Sequence, residues 1–352
     1  MKRVFAGILT ACVLAAVLAD AQALSPYKLG TFERSGRPLV GIVLKDSLVV
    51  DFAAAHQAVR GSASIAAPTD MRDLIARYDA GLRGRIAEII RAVESAGTRP
   101  AYVYDVKALK ILPPIMYPRA MLNVAVNYRE HDREMGGTTL GAALKGTESA
   151  PGIWQRPADD TRWNPYMFLK SPTTIIAEGE PIRLPPGRTQ VDWECELGVV
   201  IGREARRVPA AKASEFIFGY TVHNDVSDRG GRGDTRMGSD WLISKNHDTF
   251  GPLGPFITPK QFVADPHTLK VRFALNGKVL QEADTSYMIH TVHEQVEYGS
   301  NIMTLRPGDI IATGTPAGVG SARKPPIYFK PGDTSVCTYD GVGTLTNPVV
   351  GS

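Results

Sequence analysis

Cysteine is scarce in this chain, with three in 352 residues. Cys12 falls in an N-terminal leader, so Cys195 and Cys337 can form one disulfide at most. Both lie in strand-like apolar runs, and the reading taken is of two buried free thiols. An excess of one charge is also missing: 40 Lys and Arg stand against 36 Asp and Glu. No basic stripe interleaved with aromatics occurs, so no nucleic-acid partner is expected. Beyond the leader there is no apolar run long enough to span a membrane. Several catalytic signatures are absent. There is no G-x-S-x-G elbow. The Gly-rich run Thr313-Gly314-Thr315-Pro316-Ala317-Gly318-Val319-Gly320 lacks the Gly-Lys-Ser/Thr ending of a phosphate loop. His131-x-x-Glu134 is followed by Met135 where a zinc protease needs a second histidine. No internal repeat or heptad is found. What remains is an ordinary globular composition, 43% hydrophobic and 22% charged, in a chain long enough for one large domain or two unequal ones.

The first residues read as an address. Lys2-Arg3 is a short positive region, residues 4–18 are almost wholly apolar, and Ala19-Asp20-Ala21 or Ala21-Gln22-Ala23 has the form of a cleavage site. The expectation is a signal peptide over residues 1–23 and an exported, periplasmic or secreted protein, free of the membrane after cleavage. Leu9-Thr10-Ala11-Cys12 resembles a lipidation box, but apolar residues continue past Cys12. After the leader, Leu39 to Leu44 and Leu48-Val49-Val50 flank the polar turn Lys45-Asp46-Ser47, which predicts a hairpin. Residues 70–97 carry apolar side chains at three- and four-residue steps and read as helix, divided at Gly81 or Gly84. Leu112-Pro113-Pro114-Ile115 is taken as the boundary between a small domain (24–115) and a β-rich catalytic domain (116–352). Residues 136–165 show no period and read as a lid or binding loop.

The chemistry concentrates in Val191-Asp192-Trp193-Glu194-Cys195-Glu196-Leu197-Gly198-Val199-Val200-Ile201. On a strand, Asp192, Glu194 and Glu196 share one side and Val191, Trp193, Cys195 and Leu197 the other. Carboxylates two positions apart are about 7 Å apart and repel by roughly 2.4 kcal/mol at an effective dielectric near 20. Such repulsion in a run apolar enough to be core favours a divalent cation over the alternative of a solvated strand face, where the charges cost little. Asp225, at the end of Phe218-Gly219-Tyr220-Thr221-Val222-His223, is a further candidate ligand. An all-carboxylate shell suits Mg²⁺, Mn²⁺ or Ca²⁺ and not Zn²⁺. His131 and Glu134 share a helix face; spacing alone favours a solvated charged turn over a carboxylate raising the imidazole pKa for general-base work. Lys245 lies in a partly apolar context and could bind a substrate carboxylate or stabilise an enolate. Arg232-Gly233-Asp234 is given no adhesive role.

Taken in order, these segments resemble the fumarylacetoacetate hydrolase family. The resemblance runs over residues 121–320. It comprises Asn127-Tyr128-x-x-His131, Lys170-Ser171-Pro172, the acidic strand, Gly219-Tyr220-Thr221-Val222 and Asn224-Asp225-Val226-Ser227. It continues through Lys245, Asp248-Thr249-Phe250, Pro252-Leu253-Gly254-Pro255, Leu305-x-Pro307-Gly308-Asp309 and the Thr313 to Gly320 run. It implies an α+β fold, a β-rich mixed sandwich roll with a small N-terminal α/β domain, paired as a homodimer. It also implies Glu194, Glu196 and Asp225 as ligands of Mg²⁺ (or Mn²⁺, or Ca²⁺). His131 and Glu134 become a catalytic pair on a mobile lid helix, Lys245 an active-site lysine, and Thr315, Tyr128 and Arg129 substrate contacts. The implied activity is hydrolysis of a C–C bond in a small 2-oxo or 1,3-dicarbonyl acid. The alternatives are decarboxylation, isomerisation or lysis of a 2-oxo or ureido acid, or dicarboxylate binding without catalysis. The chain departs from the family pattern at Asp240, in the Gly/Arg-rich residues 230–239, and in the long segment 136–164.

Overall fold

The computed structural model describes residues 24–352, apart from 62–63, 137–149, 156, 158, 232, 234–235 and 237. The leader read from residues 1–23 therefore lies outside the described residues. The chain opens with strands β1 (Tyr27–Arg34), β2 (Arg37–Leu44) and β3 (Leu48–Asp51), followed by β4 (Val103–Asp105) and β5 (Lys110–Leu112). The β2–β3 hairpin turns as its sequence predicts. Lys45 and Asp46 take φ of 51° and 53°, and the Ser47 amide donates to the Leu44 carbonyl at 3.1 Å. Two left-handed residues in succession match the twist of the flanking strands.

Between β3 and β4 lie α1 (Phe52–Ala58), α2 (Met71–Ala76) and α3 (Arg83–Glu94). The Asp51 and Asp70 carboxylates cap α1 and α2, accepting from the Ala54 and Asp73 amides at 3.1 and 2.8 Å. Of the two glycines read as dividing the helical stretch, Gly81 is the break. Its φ is +120°, and a Cβ there would meet Ile65 at 2.5 Å.

The larger part contributes β6 (Met121–Ala125), β7 (Tyr166–Leu169), β8 (Ile175–Ile176), β9 (Ile182–Arg183), β10 (Val191–Asp192), β11 (Cys195–Ile201) and β12 (Ile217–Asn224). Then follow β13 (Ser227–Asp228), β14 (Gly251–Pro259), β15 (Lys270–Leu275), β16 (Lys278–Asp284), β17 (Ile310–Ala312), β18 (Thr334–Tyr339) and β19 (Gly343–Val350). Its helices are α4 (Arg129–Glu134), α5 (Trp241–Lys245) and α6 (Val292–Ile302). The main sheet runs β4-β3-β2-β1-β14-β12-β11-β17-β6-β7, with β5 beside β1 and β8 beside β14; a second sheet runs β16-β15-β18-β19-β9. Pairing is mostly antiparallel, with helices outside the sheets, which makes the class α+β.

One core fills the space between the two sheets, with Leu197, Val199, Val222, Phe273, Tyr339 and Leu345 among its members. Another packs α2 and α3 against the opposite face of the main sheet. β11 is buried along its whole length because it lies between these cores, which accounts for its unbroken apolar tail. The second core joins Leu74, Ile86 and Ile89 to Val200, Phe218 and Ile310. β1 pairs with β14, with Leu29 opposite Ile257. Sheet and core thus both continue across Pro113-Pro114.

Candidate active site

The acidic segment is two strands with a break between them. β10 pairs with β13, β11 pairs with β12, and Trp193 and Glu194 lie outside either ladder. Trp193 stacks on Phe273 with ring centroids 4.8 Å apart, and its indole N–H donates to the Gly318 carbonyl at 3.2 Å. The Glu194 amide donates to Asn224 Oδ1 at 3.1 Å, and its carbonyl accepts from the Asp225 amide at 2.8 Å. This pairing draws Asp225 to the acidic strand. Ligand oxygens of Glu194, Glu196 and Asp225 all fall within 4.8 Å of one another, and all three residues are buried. Asp192 does not join them. Its carboxylate takes Arg229 Nε at 2.7 Å and the Ser321 amide at 2.8 Å.

Cations answer two of the three carboxylates. Lys245 Nζ donates to Glu194 Oε2, Asp225 Oδ2 and Ser227 Oγ, each at 2.7 Å. Lys170 donates to Asp225 Oδ1, and Arg229 to Glu194 Oε1. Burial alone would raise the Glu194 and Asp225 carboxyls. Lys245 and Arg229 hold Glu194 below the usual carboxylate range, and Lys170 and Lys245 hold Asp225 well below it. Among the described residues, Glu196 accepts from the Gly314 amide at 3.0 Å and has no cation at hydrogen-bond distance. Burial, with the Asp225 and Glu194 charges beside it, pushes its carboxyl well above the usual range. Three clustered oxygen donors, one of them without a hydrogen-bonded cation among the described residues, fit a hard divalent ion. Glu194, Glu196 and Asp225 are the residues that would hold it.

α4 brings the expected His131–Glu134 pair to the site. His131 Nδ1 lies 2.7 Å from Glu134 Oε1, and Glu134 Oε2 accepts from the Gly318 amide at 2.8 Å. The helix is formed and docked on Gly318, and His131 is 3% exposed. His131 stands close enough to Glu194 to help lower its carboxyl. Of the following segment, the described part docks on α6, where Arg162 binds Asp160 and Glu294, each at 2.7 Å.

Thr315 is buried, its hydroxyl donating to the Cys195 carbonyl at 3.1 Å and accepting from Gln281 at 2.8 Å. Tyr128 is fully buried in the inter-sheet core, and Arg129 is exposed. Sequence reasoning singled out neither Arg229 nor Asp192 as a partner of the ligands, and it used Lys170 only as part of a motif. The available signal was Arg229 itself, a cation four residues after Asp225, directly after the short strand β13. The expectation of two free thiols is corrected. Cys195 and Cys337 form a disulfide with Cα atoms 5.6 Å apart, because β18 of the second sheet passes behind the start of β11.

A family model described as "Fumarylacetoacetate (FAA) hydrolase C-terminal" matches residues 120–350. Protein Rv2993c of Mycobacterium tuberculosis is 44% identical over 242 residues, covering 69% of this chain and 79% of its own. The mitochondrial oxaloacetate tautomerase fahd2 of Xenopus laevis is 34% identical over 283 residues, 78% of this chain and 81% of its own. A maleylpyruvate hydrolase from Sphingobium sp. SYK-6, solved with manganese(II) and pyruvate, superposes with a TM-score of 0.67 at 27% identity, covering 92% of this chain and 99% of that one.

Proposed function

The chain belongs to the fumarylacetoacetate hydrolase family, and we propose that it is a Mg²⁺- or Mn²⁺-dependent hydrolase of small acylpyruvate-type 2-oxo acids. The observation that carries this reading is the His131–Glu134 pair docked beside three buried carboxylates. When bound, the divalent ion supplies Lewis-acid stabilisation of developing oxyanion charge. Glu134, fixed by the Gly318 amide, orients His131, whose Nε2 is the atom that takes a proton from water. That water adds to the acyl carbonyl distal to the carboxylate, and the C–C bond breaks to give a carboxylic acid and the enolate of pyruvate. Lys245 and Arg229, which neutralise Glu194 here, supply positive charge for the substrate carboxylate and the leaving enolate. Docking of α4 limits the access of bulk water to this step.

A second reading is keto–enol tautomerisation of an oxaloacetate-like diacid, favoured by the 34% identity to an oxaloacetate tautomerase over most of its length. The same base and cations serve both reactions, which differ in whether water is admitted. Incubation with Mn²⁺ and a series of acylpyruvates separates them. Hydrolysis releases one equivalent of pyruvate, measurable with lactate dehydrogenase. Equilibration of enol and keto forms without pyruvate release would favour the tautomerase, and inertness toward all of them would overturn both.

Export and pairing are part of the proposal. The leader composition supports export, and so does a disulfide, which persists in oxidising compartments. N-terminal sequencing of protein recovered outside the cytoplasm should begin near residue 22 or 24. The homodimer is expected from the family, and sedimentation should give about twice the chain mass.

A further inference from the structure

Cys195 stands between two residues of the carboxylate triad and is bonded to the second sheet. It is the first residue of β11, at the point where regular pairing begins, and Glu194 just before it lies outside the ladder. Its side chain enters the inter-sheet core, so along the strand Glu196 projects to the other face. Cys195 lies opposite Asn224 in the ladder with β12, and contacts from other elements also reach it. The Cys195 amide donates to Gln281 Oε1 at 3.3 Å, and its carbonyl accepts from Thr315 at 3.1 Å and from the Tyr339 hydroxyl at 3.5 Å. The covalent tie runs to Cys337 in the middle of β18, 142 positions away in the chain.

We propose that the Cys195–Cys337 disulfide is a positioning element of the metal centre, setting the approach of the Glu194 and Glu196 carboxylates so that the oxidised protein binds a divalent cation more tightly than the reduced one. This rests on the metal reading of the triad. Reduction adds two electrons and two protons, supplied by a dithiol that becomes a cyclic disulfide, and leaves two thiols. Thiols need van der Waals separation where bonded sulfurs do not. Cys195 and Cys337 are 0% and 1% exposed, so the room must come from moving the start of β11 against β18. That movement is transmitted along one peptide unit to each flanking carboxylate. The fold should survive the change, because Asn224 Nδ2 still donates to Ser335 Oγ at 3.1 Å and Trp193 still stacks on Phe273. Supporting contacts behind metal ligands typically change affinity about 10- to 100-fold.

The test measures Mn²⁺ affinity by calorimetry and the bound-Mn²⁺ spectrum by electron paramagnetic resonance. It compares mature oxidised protein, protein reduced and refolded in dithiothreitol, the Cys195→Ala/Cys337→Ala double variant, and Val349→Ala. Val349 is buried on β19, remote in the strand order from β11, and serves as a variant that only destabilises. Thiol titration of the denatured mature protein should find none before reduction and both cysteines after it. Affinity should fall about tenfold or more in the reduced protein and the double variant. In Val349→Ala the thermal midpoint should drop while affinity stays within about twofold. Free thiols in unreduced protein would overturn the proposal, as would equal affinity in the oxidised, reduced and double-variant forms. Should the double variant not fold, the reduced wild type decides alone. If oxidised wild type binds no Mn²⁺, or binds it as well in Glu196→Gln, the metal reading itself fails and the proposal with it.

Discussion

Glu196 differs from its two neighbours in having no cation at hydrogen-bond distance among the described residues. Its carboxyl is pushed up, while Glu194 and Asp225 are held down. The sign of the pH dependence follows. Below its raised pKa Glu196 carries a proton that a metal must displace, whereas the other two stay ionised over the same range. Metal affinity should therefore fall as pH is lowered through the Glu196 titration, with proton release per ion bound rising toward about one on the acid side of it. Calorimetry in buffers of different ionisation enthalpy measures this, and zero proton release would contradict it. Glu196→Gln should weaken metal binding roughly a hundredfold or more, since it removes a ligand and not merely a supporting contact. In the metal-free protein the raised pKa means that ionising Glu196 opposes folding as pH rises. The glutamine variant should accordingly melt at or above the wild-type temperature at alkaline pH.

At the scale of elements, α4 and the Gly318 loop act as one unit through Glu134. His131→Ala should lower the rate constant of the chemical step by roughly 10²- to 10⁴-fold, the usual share of general-base catalysis, with Mn²⁺ affinity little changed. Equal loss of metal affinity would show instead that the helix holds up the ligand site. Gly318 has φ +107°, and a Cβ there would come 2.2 Å from the Leu280 carbonyl oxygen. Gly318→Ala should therefore displace the loop, cost more than about 1 kcal/mol of stability, and depress turnover through Glu134. Denaturant unfolding and rate measurements on the same variant test both parts. Hydrogen exchange over residues 127–136 should slow further with an oxalate-like inhibitor, and unchanged exchange would argue against closure. The break at Trp193 and Glu194 matters at this scale too. It lets one segment pair with β13 and the next with β12, placing Asp192 with Arg229 while Glu194 meets Asp225.

Across the whole molecule, the continuous main sheet and the core joining α2 and α3 to Val200, Phe218 and Ile310 predict one cooperative unfolding transition. Two separate calorimetric peaks for residues 24–115 and the remainder would contradict that. Breaking the disulfide, which spans 142 positions, should lower the melting point of the whole transition and not of one part, with a loss of stability of up to roughly 5 kcal/mol on a chain-entropy estimate.

The sequence alone determined the features that depend on near neighbours. These are the acids spaced along an apolar strand, His131 and Glu134 one helical turn apart, the Lys45-Asp46 hairpin turn, the helix interrupted by a glycine, and the ordered motifs that carry the family. Each is set by local backbone periodicity or by local steric demand, so a linear reading reaches it. The tertiary structure decided what required distant segments to be placed side by side. Only the fold seats Lys170 on Asp225 and Arg229 between Asp192 and Glu194, leaves Glu196 without a hydrogen-bonded cation among the described residues, buries Tyr128 in the core, and joins Cys195 to Cys337. Charge pairing and disulfide geometry depend on distances between strands far apart in the chain. Those distances are set by how two sheets stack, and no local pattern encodes them.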